Sequence, residues 1–166
     1  SGITSLKIEG RVKTAFYAAT VVGAYRREID RYFADPENYK FNPEEMTELR
    51  KVSHRPYTTG FYFGRPDSDA QVYETSSYIR DYELTAIVLD YDKETGRITV
   101  SQRNRFFEGD EIEIMQPGKS YITITAEDMR DEKGQPITVA PHAQQLVSMK
   151  APEEICVGAM LRKKRV

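Results

Sequence analysis

Tryptophan is absent from this 166-residue chain, and cysteine and histidine are scarce: one cysteine, Cys156, and two histidines, His54 and His142. A single thiol excludes an internal disulfide and, taken alone, any cysteine-held metal cluster. Neither histidine has neighbours at metal-ligand spacing, so no metal site is expected. The low cysteine count suits a reducing, cytoplasmic setting. Also missing is any apolar run near the ~20 residues of a membrane-spanning helix. The first residues lack the apolar core of a secretory signal. A cytoplasmic protein with no membrane partner is the expectation. No glycine-rich phosphate loop or serine-centred elbow occurs.

What is present suits a folded domain. Hydrophobic residues make up 39% of the chain, and 11 tyrosines and 7 phenylalanines supply bulk for a core. The net charge of −2 is unevenly spread. Residues 1–64 carry 10 Lys/Arg against 8 Asp/Glu, whereas residues 65–166 carry 14 against 18. Four of those 14 are the closing Arg162, Lys163, Lys164 and Arg165, which read as a solvated basic tail. An acidic body is a poor platform for non-specific nucleic-acid binding, which needs clustered Lys/Arg against phosphates.

Periodicity divides the chain. Ala15, Ala18, Val22, Tyr25, Ile29 and Phe33 recur every three or four residues, predicting an amphipathic helix capped by Thr14 and stopped by Asp35-Pro36. Asn42-Pro43-Glu44-Glu45 announces a second, short helix with Met46, Leu49 and Val52 as its buried stripe. Beyond Gly64 the period changes to two. Strands are expected at Thr85–Tyr91, Arg97–Ser101, Glu111–Ile114, Tyr121–Thr125, Ile137–Val139, Gln145–Met149 and Ala159–Arg162, with glycine turns between them. The fold class is therefore α+β and mainly β: N-terminal helices over residues 1–64, then a compact, closed β-barrel of about eight strands over 65–166.

Candidate chemistry is sparse. Asp90–Gly96 looks like a calcium loop, but its glycine falls one place late and Ser101 stands where a bidentate glutamate is needed, so a hairpin turn is expected. His54, Arg55 and Tyr57, in a polar aromatic linker, are candidates for orienting a substrate; a packed structural role is the alternative. Arg97, Arg103 and Arg105, with Phe106 and Phe107 beside them, could form a local RNA-contacting patch, or else a solvated strand face with core aromatics. Cys156 has no cationic neighbour to activate it and reads as an inert, partly buried thiol.

Longer motifs carry a resemblance. They are Gly2-Ile3-Thr4-Ser5-Leu6-Lys7-Ile8-Glu9-Gly10-Arg11, Tyr25-Arg26, Asp35-Pro36-Glu37-Asn38-Tyr39, Ser53–Phe61, Tyr73-Glu74 and Asn104–Ile114. Ile8-Glu9-Gly10-Arg11 coincides with a tag-cleavage tetrapeptide, but it runs directly into the first helix segment. Together these motifs resemble the C-terminal region of collagenase-like peptidases of unassigned catalytic type (peptidase family U, number thirty-two), which are related to RNA-hydroxylation proteins.

That resemblance implies a fragment of a larger enzyme. The helices would be the remnant of a TIM-type barrel domain, with Glu9 and Arg11 as candidate catalytic residues at the face where such barrels work. The second part resembles the second domain of elongation factor Tu. The chain itself would hold no cofactor, while upstream cysteines of the parent would bind an iron–sulfur cluster. Its partners would be the missing N-terminal catalytic domain and a protein substrate such as collagen. An accessory or lid domain of a peptidase, inactive alone, is the reading this supports; an RNA-contacting barrel of a tRNA or rRNA hydroxylation enzyme is the alternative. Arg103, Arg105, His54, Arg55 and Tyr57 are the substrate-binding candidates under either. Nothing in the pattern sets an oligomeric state.

Overall fold

The computed structural model describes residues 3–65 and 79–165; Tyr73-Glu74 and the expected boundary's C-terminal side lie outside them. Two compact units emerge, Ser1–Asp81 and Tyr82–Val166.

In the first unit, helix α1 spans Ala15–Ala34 and α2 spans Pro43–Arg50. Both N-caps are those expected: Thr14 Oγ1 accepts the Tyr17 N–H and Asn42 Oδ1 accepts the Glu44 N–H, satisfying donors the helix cannot. The buried faces differ from expectation. Phe16, Thr20, Val21 and Ala24 are buried on α1, while Ala15, Ala18, Val22, Tyr25 and Phe33 are exposed and Ile29 is half-buried. On α2 the buried side chains are Glu45 and Glu48; Met46 and Leu49 are half-buried, and Val52 beyond the helix is fully buried. Ion pairs explain the rotation. Arg27 grips Glu45 with bonds of 2.9 and 2.7 Å, Lys51 pairs with Glu48 at 2.7 Å, and Tyr39 donates its hydroxyl to Glu28 at 2.6 Å. A bidentate guanidinium–carboxylate pair fixes geometry more tightly than a few apolar contacts do. Residues 3–10 contain no regular element.

The second unit is built from eight strands: β1 (Tyr82–Asp92), β2 (Arg97–Gln102), β3 (Phe106–Phe107), β4 (Glu111–Met115), β5 (Ile122–Thr125), β6 (Val139–Ala140), β7 (Leu146–Lys150) and β8 (Met160–Lys164). Six form one antiparallel sheet in the order β5-β4-β8-β1-β2-β7; β3 and β6 form a short ribbon. The long β1 changes register between Leu84 and Ala86 and again between Val88 and Asp90. Such bulges bend a strand, which lets the sheet curl. The expected closed barrel is realised as a curled half-barrel, because the edge strands β5 and β7 share no ladder. The chain leaving β5 crosses that gap, where Arg130 and Ser148 exchange backbone hydrogen bonds of 2.8 and 2.9 Å. The β1–β2 connection is the hairpin expected over Asp90–Gly96. Asp92 caps it by accepting the Glu94 N–H and the Thr95 hydroxyl, and Gly96 takes the left-handed φ of +64° that closes it.

The alternate residues of these strands meet inside the curl. Val88, Ile98, Val100, Ile112, Ile114, Val147, Met149 and Leu161 are buried there with Phe106 and Met129, each large aliphatic side chain contributing about 1.5–3 kcal/mol of burial. Among the described residues of this unit, one charged side chain is buried. Arg162, expected in a solvated tail, is fully buried because β8 runs between β4 and β1. Its guanidinium donates two bonds of 2.8 and 2.6 Å to Glu113 and stacks near the rings of Tyr121 and Tyr82. Lys163 pairs with Asp110 and Arg165 with Glu83, so three of the four closing basic residues are ion-paired.

Removing one partner of a buried pair leaves the other uncompensated. Glu113→Ala is therefore expected to lower urea-unfolding stability by about 3 kcal/mol, the lower end for such a loss, because the Glu113 side chain keeps 19% exposure. The double change Glu113→Leu with Arg162→Met should recover most of it. Equal losses in the single and double variants would contradict this account.

Candidate functional site

The residues singled out by sequence fall in both units. In the first, His54 is buried and stacks on Tyr57 with ring centroids 4.7 Å apart and planes 18° from parallel. Its Nδ1 lies 2.8 Å from the Arg55 carbonyl, and its backbone pairs with Ile79. Tyr57 donates its hydroxyl to the Leu49 carbonyl at 2.7 Å. Partial burial pushes the Tyr57 phenol up from its ordinary pKa; Tyr17 and Tyr25 push the same way, and Arg50 opposes them. His54 and Tyr57 thus form one stacked pair, while Arg55 points to the surface. Glu9 and Arg11 are exposed in the irregular opening segment, with Glu9 3.6 Å from Lys7.

In the second unit the arginine patch separates into two parts. Arg97 is tied down: its guanidinium donates to the Asp128 carboxylate and carbonyl, both at 2.6 Å, and to Ser148. Phe106 is a core residue. Arg103 and Arg105 are exposed in the β2–β3 connection, Arg103 Nη1 donating to Ser101 Oγ at 2.8 Å and the Gln102 carbonyl at 3.3 Å, and Phe107 is part-exposed with Lys163 Nζ 5.5 Å from its ring centre.

This connection is rigidly held. The N–H groups of Arg103 and Asn104 both donate to the Thr85 carbonyl, and Asn104 Nδ2 donates to Leu84 at 2.7 Å. Gln102 exchanges backbone bonds with Gln144 and Gln145, and its side chain donates to the Ala140 carbonyl. The 141–145 loop, with exposed His142 and Gln144, is thereby held beside Arg103. Phe106 pairs with Ala140, so Arg105 and Pro141 are the next positions of that ribbon.

Sequence reasoning missed His142 and Gln144 as members of this rim. A signal for them existed: residues 95–107 and 133–152 contain no Asp or Glu, although the unit as a whole is acidic. The β2–β7 pairing lays these two acid-free stretches side by side. An exposed guanidinium presents a planar fork that matches phosphate oxygens, so the rim suits an anionic polymer.

Features for bond-breaking chemistry are missing among the described residues. Neither histidine is hydrogen-bonded to a hydroxyl or thiol. No group of three or more His, Cys, Asp or Glu could hold a metal ion. Cys156 is exposed rather than partly buried, because it sits in the turn before β8, its N–H donating to Gln116 Oε1. No helix is long and apolar enough to cross a membrane.

The pairing around Asp128 sets a pH dependence. Its hydrogen bond from Arg97, with a second from Arg130, holds its carboxyl below the ordinary carboxylate pKa. A depressed pKa makes a contribution to stability that is present above the unfolded value near ~3.9 and lost as pH falls through the folded one. Asp128→Asn is therefore expected to flatten the acid side of the stability–pH curve below about pH 4 while leaving its shape near neutrality unchanged. Parallel acid limbs in the two proteins, measured by thermal melts, would contradict it.

Comparison with known proteins adds to this geometry. The Peptidase family U32 C-terminal domain profile matches residues 80–162, and the Peptidase family U32 profile matches residues 1–72. The Bacillus subtilis tRNA hydroxylation protein P1 is 41% identical over 98% of this chain, which covers 38% of that protein. The Escherichia coli tRNA hydroxylation protein P is 30% identical over 93% of this chain, covering 33% of that protein. The chain thus spans little more than a third of these relatives. Among solved structures, the C-terminal domain of a Geobacillus thermoleovorans U32-family protein is 40% identical, with a TM-score of 0.47, covering 49% of this chain and 99% of that one.

Proposed function

This chain belongs to peptidase family U32, and on that premise we propose that it is an accessory portion of a tRNA-hydroxylating protein whose C-terminal unit presents the Arg103–Arg105 rim to RNA. The observation that carries the reading is the rim itself. Two exposed arginines stand on a rigid connection, and the two stretches that β2–β7 pairing lays side by side, residues 95–107 and 133–152, are free of carboxylates. An acidic unit would repel a polyanion over most of its surface, so a segregated basic rim gives contact a defined place and orientation. The names of the two curated relatives support the same substrate class.

The chemistry of the parent belongs in this reading to the larger part of the protein beyond this chain. In this reading a TIM-type barrel and cysteines for an iron–sulfur cluster would lie there. The single exposed Cys156 does not make a cluster ligand set, so no step is assigned to such a group here. Glu9 and Arg11 would then stand at the end of the barrel domain. A tRNA substrate makes the protein cytoplasmic. The competing reading, a grip for collagen or another peptide, rests on the family's name, and the described residues offer no nucleophile–base pair in its favour.

Fluorescence anisotropy of the 166-residue chain with bulk tRNA through a salt series tests the proposal. Arg103→Ala and Arg105→Ala should each weaken binding and reduce the slope of log affinity against log salt by about 0.7–0.9. Binding to denatured collagen with none to tRNA, or tRNA affinity indifferent to both substitutions, would overturn it in favour of the peptide reading.

A further inference from the structure

Among the described residues, two that are not glycine take a left-handed backbone: Asp128 at φ +49° and Gln144 at φ +63°. Asparagine, aspartate and histidine enter that region more readily than other side chains, so Asp128 is the ordinary case and Gln144 the exception. The Asp128 carboxylate is also used within the fold, accepting from Arg97 and Arg130. Nothing comparable engages Gln144. It is exposed, and its carboxamide has no hydrogen-bond partner among the described residues.

The turn that contains it is closed by backbone. Gln145 N–H donates to the His142 carbonyl at 3.1 Å, which makes Gln144 the third residue of a four-residue turn. A positive φ at that place suits glycine or asparagine. Gln144 N–H donates to the Gln102 carbonyl at 2.9 Å, and Gln102 N–H donates to the Gln145 carbonyl at 2.9 Å. Glycine could make every one of these bonds without the crowding of a Cβ. A side chain held in a strained conformation and left unused by the fold points to use by a ligand.

Its place says which ligand. The Gln102 carbonyl belongs to the peptide leading into Arg103, so Gln144 stands one hydrogen bond from the arginine rim. A guanidinium only donates, which is what phosphate oxygens need, whereas a carboxamide carries an acceptor and a donor side by side. That pair matches a base edge rather than a phosphate. Adenine fits it on two edges, since its amino group has a ring nitrogen acceptor on either side, and in unpaired RNA both edges are open. We propose that Gln144 reads an unpaired adenine of the RNA held by the Arg103–Arg105 rim, accepting from the amino group and donating to the ring nitrogen beside it. The inference rests on the RNA reading above and adds base selectivity to a rim that otherwise holds phosphates.

The test compares two strands by fluorescence anisotropy: a twelve-residue oligouridylate, and the same strand with its four central uridines replaced by adenosines. The parent chain should bind the adenosine strand at least about fivefold more tightly. Gln144→Gly should abolish that ratio while melting at the same temperature as the parent or higher, because it relieves the turn. Gln144→Glu keeps the size but only accepts, so it should abolish the ratio too. Arg103→Ala and Arg105→Ala should weaken both strands and leave the ratio in place. If those two variants weaken tRNA binding while the parent shows no adenine preference, or Gln144→Gly retains it, the Gln144 inference fails and the rim stands. If no RNA binds at all, both fail. A Gln144→Gly chain that melts lower than the parent would assign the side chain to the turn and overturn the inference.

Discussion

The C-terminal unit depends on burying one charge. Arg162 lies in β8, third in the order β5-β4-β8-β1-β2-β7, with no exposed surface. Its guanidinium is acceptable there only because Glu113 on the adjacent β4 takes two of its donors and the rings of Tyr82 and Tyr121 lie against it. That requirement fixes the pairing of β8 with β4, since a one-residue slip would turn both charged groups to the other face. With β8 pinned, β1 pairs along its other edge, and the bulges of β1 bend the sheet over Ile98, Ile112, Ile114 and Leu161. A segment that is basic in composition becomes the middle of a core.

Local signals in the sequence were legible because local physics settles them. Thr14 and Asn42 cap their helices, and Gly96 closes its hairpin, since each answers a need of the backbone within a few residues. Alternation, a β-branched run and turn signals located seven of the eight strands; the two-residue β3 is too short to show a pattern. The misses over helix faces and charged side chains involve partners far apart in the chain. On α1, the face through Phe16, Thr20, Ala24 and Arg27 is as regular as the apolar one through Val22, Tyr25 and Phe33. Glu45, on a different helix, decides between them. Arg97 looked available until Asp128 claimed it, and Arg162 looked solvated until Glu113 did. Long-range ion pairs leave no periodic trace, so composition assigns such residues to the surface by default.

The same long-range pairing creates the candidate site. An acidic unit is an unpromising partner for RNA when its charge is only summed. Strand order changes the picture, because β2 and β7 bring two acid-free stretches together and expose Arg103 and Arg105 at their end. The arrangement lies within one unit and suits the phosphates of an RNA, which the guanidinium forks match.

The central claim is that this chain contacts RNA at the Arg103–Arg105 rim. Ultraviolet crosslinking of the 166-residue chain to tRNA, followed by mass spectrometry of the crosslinked peptides, tests it most directly. The account predicts nucleotide adducts on the peptide containing Arg103–Phe107. Adducts absent from it, or confined to other segments such as the Lys93–Gly96 turn, would contradict the claim.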